Sequence, residues 1–367
     1  MNHEYYMAHA LRLARLGLYS TSPNPRVGCV LVKDGEIVGE GWHQKAGEGH
    51  AEVRALAMAG ARAQGATAYV TLEPCSHYGR TPPCANALIT AGVSRVVGAC
   101  FDPNPQVAGR GYQLLRDAGI EVITPCLERE AQVLNAGFMQ RMSTGLPRVT
   151  VKLAQSLDGR TAMASGESQW ITGAPARADV QRLRAQSCAI VTGADSVLLD
   201  NPAMTVRHAE AGIELEPRLW RQPLRVIIDG QQRLTGQERI FAQAGDILLA
   251  VTDAQAVKAS RPTELGQLHI WPSPKTAAGK VDLLALLHEL ARLGMNNVLV
   301  ESGAKLAGAF VQQKLAQELV LYIAPTLLGS QARPLLALGL EHMAEQARMN
   351  WQDVRQVGDD LRVVLSF

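Results

Sequence analysis

The chain has 367 residues, 47% of them hydrophobic and 19% charged, with a formal net charge of +2. That composition can bury a core and excludes a disordered or fibrous chain, and the length suggests two or three domains. Near-balanced charge and only 5% aromatics give no reason to expect nucleic acid as a partner. No apolar run approaches the ~18 residues of a membrane helix, so no membrane partner is expected. The opening residues Asn2-His3-Glu4-Tyr5-Tyr6 show no secretory signal, and a cytoplasmic location is expected. Cys29, Cys75, Cys84, Cys100, Cys126 and Cys188 are too few for a disulfide framework in so long a chain. They read as buried thiols or as metal or catalytic groups.

In chain order, Glu4 to Gly17 carries Met7, Leu11, Ala14 and Leu18 at helical spacing and ends at glycine, which predicts a helix. Val27 to Val32, Asp34-Gly35 and Ile37-Val38-Gly39 predict a β-hairpin. His50 to Gln64 is helical in pattern, with Val53, Leu56, Ala57 and Ala61 as the expected buried face. Thr67 to Leu72 reads as a strand, Pro82 to Ala91 as a helix with proline in its first turn, and Val93 to Ala99 as a buried strand. A strand over Ile120 to Thr124 and a helix over Glu128 to Arg141 complete an α/β layered domain, assigned to residues 1–145.

A turn-rich break at Thr144-Gly145-Leu146-Pro147 opens a second α/β domain, residues 146–367. Strands are predicted at Arg148–Ala154, Ala189–Thr192, Leu224–Asp229, Asp246–Val251, Asn297–Val300, Glu318–Ala324 and Leu361–Phe367. Helices are predicted at Ala174–Gln186, Val281–Leu293 and Lys305–Leu315, and Arg207 to Gln222 as a surface loop.

The chemistry-bearing residues concentrate in the first domain. His50-Ala51-Glu52 opens one helix, Pro74-Cys75 ends a strand, and Cys84 lies in the first turn of the next helix. Imidazole and thiolate suit zinc, and three protein ligands leave a fourth position for water, whose pKa falls to about 7. Glu52 stands beside the metal and is free to move protons. A helix N-terminus favours thiolate at Cys84. A closed structural site needs a fourth ligand, and His43 and His77 are the nearest in sequence.

His50-Ala51-Glu52 with Pro74-Cys75-Ser76-His77-Tyr78-Gly79-Arg80-Thr81-Pro82-Pro83-Cys84 resembles the cytidine-deaminase-type zinc motif, in the spacing typical of riboflavin-biosynthesis deaminases. Pro23-Asn24-Pro25-Arg26-Val27-Gly28 is similar to the same family. In the second domain, Lys152 to Arg160, Ser168-Gln169-Trp170-Ile171-Thr172, Asp200-Asn201-Pro202 and Val300-Glu301-Ser302-Gly303 resemble its reductase half. The chain is thereby identified as a member of the bifunctional riboflavin-biosynthesis deaminase–reductase family. The resemblance implies a cytidine-deaminase-like layered domain followed by a dihydrofolate-reductase-like α/β domain, with zinc and NADPH as cofactors. It implies hydrolytic deamination of a phosphoribosylaminopyrimidine and then reduction of its ribosyl group to a ribityl chain. Zinc ligands would be His50, Cys75 and Cys84, with Glu52 catalytic; Asn24, His43, His77 and Arg80 would line the first substrate pocket. A homo-oligomer, dimer or tetramer, is expected.

The dinucleotide fingerprint G-x-G-x-x-G is absent. Gly39-Glu40-Gly41, Gly47-Glu48-Gly49 and Gly109-Arg110-Gly111 lack its third glycine and read as turns. The second domain instead runs Val298-Leu299-Val300-Glu301-Ser302-Gly303 into a helix whose N–H groups can receive a phosphate. By resemblance the cofactor meets Ala154, Trp170, Ser196, Asp200, Gly303, Ala304, Lys305, Leu306, Ala307 and Gly308; Gly230, at a predicted strand's carboxyl end, is expected to line the same cleft. The substrate meets Ser168, Arg184, Met204, Arg207 and Glu301, and Lys152, Asp200 and Glu301 are candidates for the proton donor. Two rival readings exist: a tRNA-type nucleic-acid deaminase with an unrelated C-terminal domain, and a zinc-stabilised module with a dead centre. The first expects a basic, aromatic stripe that the composition does not supply, and the intact Glu52 speaks against the second.

Overall fold

The computed structural model describes residues 2–76, 83–105 and 107–367. The chain splits into two compact units, Met1–Leu146 with Glu216–Arg221, and Pro147–Leu215 with Gln222–Phe367.

The first unit contains α1 (His3–Leu16), β1 (Gly28–Lys33), β2 (Glu36–Trp42), α2 (Ala51–Ala59), β3 (Thr67–Val70), α3 (Cys84–Thr90), β4 (Arg95–Gly98), α4 (Arg110–Asp117), β5 (Glu121–Ile123), α5 (Glu128–Leu134) and α6 (Ala136–Thr144). Its sheet has the order β2-β1-β3-β4-β5. β1 is antiparallel to β2 and β3, and β3, β4 and β5 are parallel. Asp34 and Gly35 both take positive φ, the conformation that a two-residue hairpin turn requires. Alternate residues of β1 face opposite layers. Cys29 and Leu31 pack with residues of α2, α3 and α4, whereas Val30 and Val32 pack with those of α1, α5 and α6.

The helix after His50 buries a different face from the expected one. Ala51, Glu52, Ala55 and Ala59 are buried, whereas Val53 and Ala57 are exposed. The reason is close packing on β2. A Cβ on Gly39 would lie 2.3 Å from the Ala55 carbonyl oxygen, and one on Gly41 2.7 Å from that of Ala51. Both glycines are strand residues that let the helix descend, not turn residues. The single helix expected over Glu128 to Arg141 is two, broken at Asn135 (φ −114°, ψ 24°). Asn135 is buried and exchanges hydrogen bonds with the Arg26 backbone, accepting from its N–H (2.8 Å) and donating to its carbonyl (2.9 Å). Helix α4 lies in a stretch for which the sequence predicted no element.

The second unit contains β6 (Arg148–Ser156), β7 (Arg160–Ala162), α7 (Ala174–Gln186), β8 (Ala189–Gly193), α8 (Ala194–Asp200), α9 (His208–Ala211), β9 (Leu224–Ile228), β10 (Ile247–Val251), β11 (Leu268–Pro272), α10 (Leu283–Arg292), β12 (Asn297–Val300), α11 (Ala304–Gln312), β13 (Glu318–Ala324), β14 (Arg333–Pro334), β15 (Asn350–Val357) and β16 (Asp360–Ser366). Nine strands form one sheet in the order β11-β10-β9-β8-β12-β6-β13-β16-β15. The pairs from β11 to β13 are parallel, and β16 is antiparallel to both β13 and β15. β11 and β15 are sheet-edge strands that the sequence did not reveal, because neither carries a clean apolar alternation. The Arg207 to Gln222 stretch holds the short α9 and a 3-10 turn over Pro217–Leu219. Helix α7 packs Ala176 and Val180 against Val320, Tyr322 and Val364, while Met204 joins the apolar cluster of β8, β9 and β10.

Candidate active sites

In the first unit, three chain segments meet at one point. His50 is the N-cap of α2, with extended backbone (φ −70°, ψ 169°), so its ring turns away from the helix while Glu52 falls in the first turn. Cys84 is the first residue of α3, and Cys75 follows β3 by a short link. His50 Nδ1 lies 3.2 Å from Cys84 Sγ and 3.7 Å from Cys75 Sγ. All three donor atoms fall within 4.8 Å of one another. Tetrahedral zinc with bonds of about 2.0–2.3 Å to nitrogen and sulfur separates such ligands by roughly 3.5–3.8 Å, so the set fits the ion. No fourth side chain joins the cluster among the described residues. The Cys75 thiol is pulled down to about 4 by a hydrogen bond from Cys84, aided by His50 and by the Cys84 N–H at 3.3 Å, against the effect of burial. The same hydrogen bond, with burial, pushes the Cys84 thiol up, so without a metal it is Cys75 and not the helix-start Cys84 that is favoured as thiolate.

Glu52 is buried, and burial pushes its carboxyl above the usual range, with His50 pulling the other way. Its Oε2 is a buried oxygen without a hydrogen-bond partner. Such an orphan is costly unless a ligand or water meets it. His43 is also buried, and its ring stands 5.3 Å from that of His50 at 87°. Burial, then the neighbouring His50, lowers its pKa to about 4, so it is neutral at pH 7. A neutral ring donating from Nδ1 to the Gly49 carbonyl (3.4 Å) accepts the Asn24 amide at Nε2 (3.1 Å). Asn24 is thus held beside the ligand set, and the Arg26–Asn135 clip steadies its loop. His77 and Arg80 lie outside the described residues.

In the second unit, the expected residues gather at the carboxyl ends of β8 and β12, where open α/β sheets bind ligands. Glu301 follows β12. Arg184 from α7 grips it with Nε to Oε1 at 2.6 Å and Nη2 to Oε2 at 3.0 Å, and Lys152 Nζ stands 4.0 Å from Oε2. Arg184 also donates to the Thr205 carbonyl (3.1 Å) and meets Met204 Sδ at 3.9 Å. Its guanidinium is therefore engaged within the unit, by Glu301, the Thr205 carbonyl and Met204, and it is no solvated helix arginine. Arg207 keeps a half-exposed guanidinium, bound only at Nε to Glu210 (2.6 Å) among the contacts of its side chain. Burial, reinforced by Arg184, lowers the Lys152 pKa, with Glu301 opposing the shift.

Ser168 Oγ donates to Asp200 (3.1 Å) on α8, and Ser196 Oγ of the same helix accepts the Gly303 N–H (3.2 Å). Gly303 is the N-cap of α11, so the N–H groups of Ala304, Lys305 and Leu306 have no intrahelical partner. Ala307 already donates to the Gly303 carbonyl (3.1 Å), and Gly308 is pressed against residue 337, where a Cβ would meet the Ala337 oxygen at 2.5 Å. Both are buried inside the unit, in contrast to the exposed Gly303 and Lys305. Trp170 is exposed, with the Arg177 guanidinium 4.7 Å above its ring. Ala154 pairs with Tyr322 across β6 and β13, and Gly230 lies just beyond the end of β9, with its carbonyl accepting from Thr252 (2.6 Å). Two residues that hold these sites were not singled out from sequence: Asn135, and Glu73 just ahead of Cys75. Each is an isolated polar residue whose partners lie far along the chain, and no local spacing marks it.

The model of the cytidine and deoxycytidylate deaminase zinc-binding region matches residues 1–100, and that of the RibD C-terminal domain matches residues 147–363. The chain belongs to the RibD family. The riboflavin biosynthesis protein RibD of Escherichia coli strain K12 is 54% identical, over 98% of both chains. That of Haemophilus influenzae is 48% identical, over 98% of this chain and 95% of the relative. Among solved structures, Acinetobacter baumannii RibD (form 1) superposes with a TM-score of 0.90 at 48% identity, covering 99% of this chain and 98% of that one. A Thermotoga maritima deaminase/reductase gives a TM-score of 0.86 at 32% identity with the same coverage. As a RibD family member the protein is a bifunctional deaminase and reductase of riboflavin biosynthesis that acts on a small molecule, with zinc and NADPH as cofactors. No helix among the described residues is long and apolar enough to cross a membrane.

Proposed function

We propose that the two activities divide by chain segment. Residues 1–145 deaminate 2,5-diamino-6-(5-phosphoribosylamino)pyrimidin-4(3H)-one, and residues 146–367 reduce the product to 5-amino-6-(5-phosphoribitylamino)uracil. The observation that carries the first assignment is the unpartnered Glu52 Oε2 beside the His50, Cys75 and Cys84 donor atoms. Zinc held by those three atoms would supply a water of lowered pKa, a nucleophile at neutral pH. Glu52 would take the first water proton on Oε2 and pass it to the ring nitrogen, then carry the remaining hydroxyl proton to the departing amino group, which leaves as ammonia. Neutral His43 and the Asn24 it orients face the pyrimidine edge, with His77 and Arg80 as the further substrate contacts.

NADPH would supply the hydride for the second step. The N–H groups at the start of α11 would receive its phosphates, with Lys305 adding charge. Gly303 to Gly308 form the cradle, of which Gly303, Ala304, Lys305 and Leu306 present groups to a ligand and Ala307 and Gly308 permit close helix packing. Ala154, Trp170, Ser196, Asp200 and Gly230 complete the cofactor contacts. Arg207 is the phosphate partner of the substrate, because its guanidinium is the accessible one. Glu301, fixed by Arg184, orients the ribosyl chain with Ser168 and Met204.

Incubation with the diaminopyrimidine ribotide, with and without NADPH, tests the reading. Ammonia release without NADPH, and NADPH oxidation only after it, are expected; NADPH oxidation in a sample unable to release ammonia would refute the order. Six free cysteines support a reducing, cytoplasmic location, to be checked by fractionation. A homo-oligomer, dimer or tetramer, is supported by β15, a sheet edge bearing exposed Trp351 and Val354. Sedimentation of the wild type and of Trp351→Arg tests it, with a monomeric wild type as the opposing result.

A further inference from the structure

Glu73 is a buried carboxylate that the deamination chemistry does not use. It lies between β3 and Cys75, and its two oxygens accept four backbone N–H groups. Oε1 accepts from Gly111 (2.9 Å) and Tyr112 (3.3 Å), and Oε2 from Gly109 (2.9 Å) and Asp102 (3.2 Å). Gly109, Gly111 and Tyr112 form the start of α4, whose N-cap is a glycine and provides no side-chain cap. A carboxylate from another segment therefore satisfies the helix's orphan donors and its positive end.

The next residue repeats the contact. The Pro74 carbonyl oxygen would lie 1.9 Å from a Cβ at Gly111, so the backbone leading into Cys75 rests directly on the first turn of α4. Two adjacent residues of one short link are thus bolted to one helix end, and Cys75 is the next residue along.

We propose that Glu73 is a positioning residue for the metal ligand Cys75: by tying the β3–Cys75 link to the start of α4, it holds Sγ within reach of His50 and Cys84 and so sets how long zinc is retained. Groups that orient a metal ligand commonly contribute ~10–100-fold to metal affinity. The inference rests on the reading that Cys75 ligates zinc.

The test uses full-length, zinc-loaded protein. Glu73→Gln keeps an acceptor oxygen but loses two of the four hydrogen bonds. Zinc transfer to a chromogenic chelator is expected to accelerate at least ~10-fold. Deamination kcat should fall and return with added zinc, KM should stay near wild type, and NADPH-dependent reduction of pre-deaminated substrate should be retained. Gly111→Ala, which leaves Glu73 intact but displaces Pro74, should accelerate zinc transfer as well. Leu115→Ala, which opens a cavity under α4 without touching the link, should lower the unfolding temperature yet leave zinc transfer within about twofold. Wild-type zinc retention in both Glu73→Gln and Gly111→Ala overturns the proposal, as does equal acceleration in Leu115→Ala, which would reduce Glu73 to general stability. A wild-type protein that takes up no zinc, by metal analysis, would instead defeat the ligand reading itself.

Discussion

The two candidate sites are built on opposite plans. In the first unit, three ligand atoms converge within 4.8 Å, held by the starts of α2 and α3 and by the link after β3, with the buried Glu52 carboxylate in the first turn of α2. In the second, the groups are spread over α7, α8, β6, the end of β12 and the start of α11, and most are already engaged with one another. The difference follows from the chemistry. A metal demands a fixed donor geometry, so its ligands are concentrated and nothing may replace them. A hydride transfer is carried out by the cofactor, and the protein's share is orientation, which many weaker contacts can provide.

The comparison breaks first at Glu52. Glu52→Gln should lower deamination by ~10²–10⁴-fold while zinc content and reduction of the deaminated substrate are kept, as read by ammonia release and metal analysis. Turnover within a few-fold of wild type would remove Glu52 from proton transfer.

The second unit's counterpart is Arg184→Ala. It strands the largely buried Glu301 carboxylate with only the more distant Lys152, and breaking such a pair costs about 3–5 kcal/mol. Chemical denaturation should show this loss, and reduction should fail. A cost below ~1 kcal/mol would mean that the pair orients nothing.

Zinc removal sharpens the contrast. At a concentration 100 times its dissociation constant, zinc adds ~2.7 kcal/mol of stability. Chelation should therefore lower the unfolding midpoint of the first unit and abolish deamination, while NADPH-dependent reduction continues. Loss of both activities together would show that the two chemistries are not separable.

A smaller effect is expected at Gly41→Ala. The added Cβ would meet the Ala51 carbonyl oxygen at 2.7 Å and push α2, with His50 and Glu52, off the sheet. Overpacking of this kind costs about 1–3 kcal/mol, and deamination should fall more than reduction does.

The smallest is a pH effect. Burial raises the Glu301 pKa, but the charge and hydrogen bonds of Arg184, with Lys152, more than offset it and leave it below the ordinary 4.5. Stability from the ionised carboxylate is then complete above pH 4.5 and is lost as pH falls through the lowered value. The stability gap between wild type and Glu301→Gln should be constant above that pH and narrow below it; a gap that narrows already near neutrality would contradict the sign.

Much of this was legible in the sequence. His50, Glu52, Cys75 and Cys84 were visible because metal ligands need particular residue types and few others can serve; His50, Glu52 and Cys84 do stand at helix starts, whereas Cys75, expected at a strand end, lies on the link beyond β3. The apolar strands of both units were visible for the same reason, since a buried parallel strand is a continuous aliphatic run. The buried face of α2 was misread because periodicity weighs large apolar residues, whereas here alanines face glycines of β2 at close range. Helix α4 was hidden because its N-terminus is capped by Glu73, 36 residues earlier than Gly109.

What the sequence by itself determined was therefore the chemistry: the donor set, the carboxylate beside it, the two α/β halves and their order. What only the tertiary structure decided was which polar groups are spent and which are available. Arg184 and Arg207 are equally charged as letters. One is consumed by Glu301 at 2.6 Å, and the other keeps an exposed guanidinium. Hydrogen-bond and charge partners are set by distance in space, and strand order and helix height on the sheet, not spacing along the chain, fix those distances.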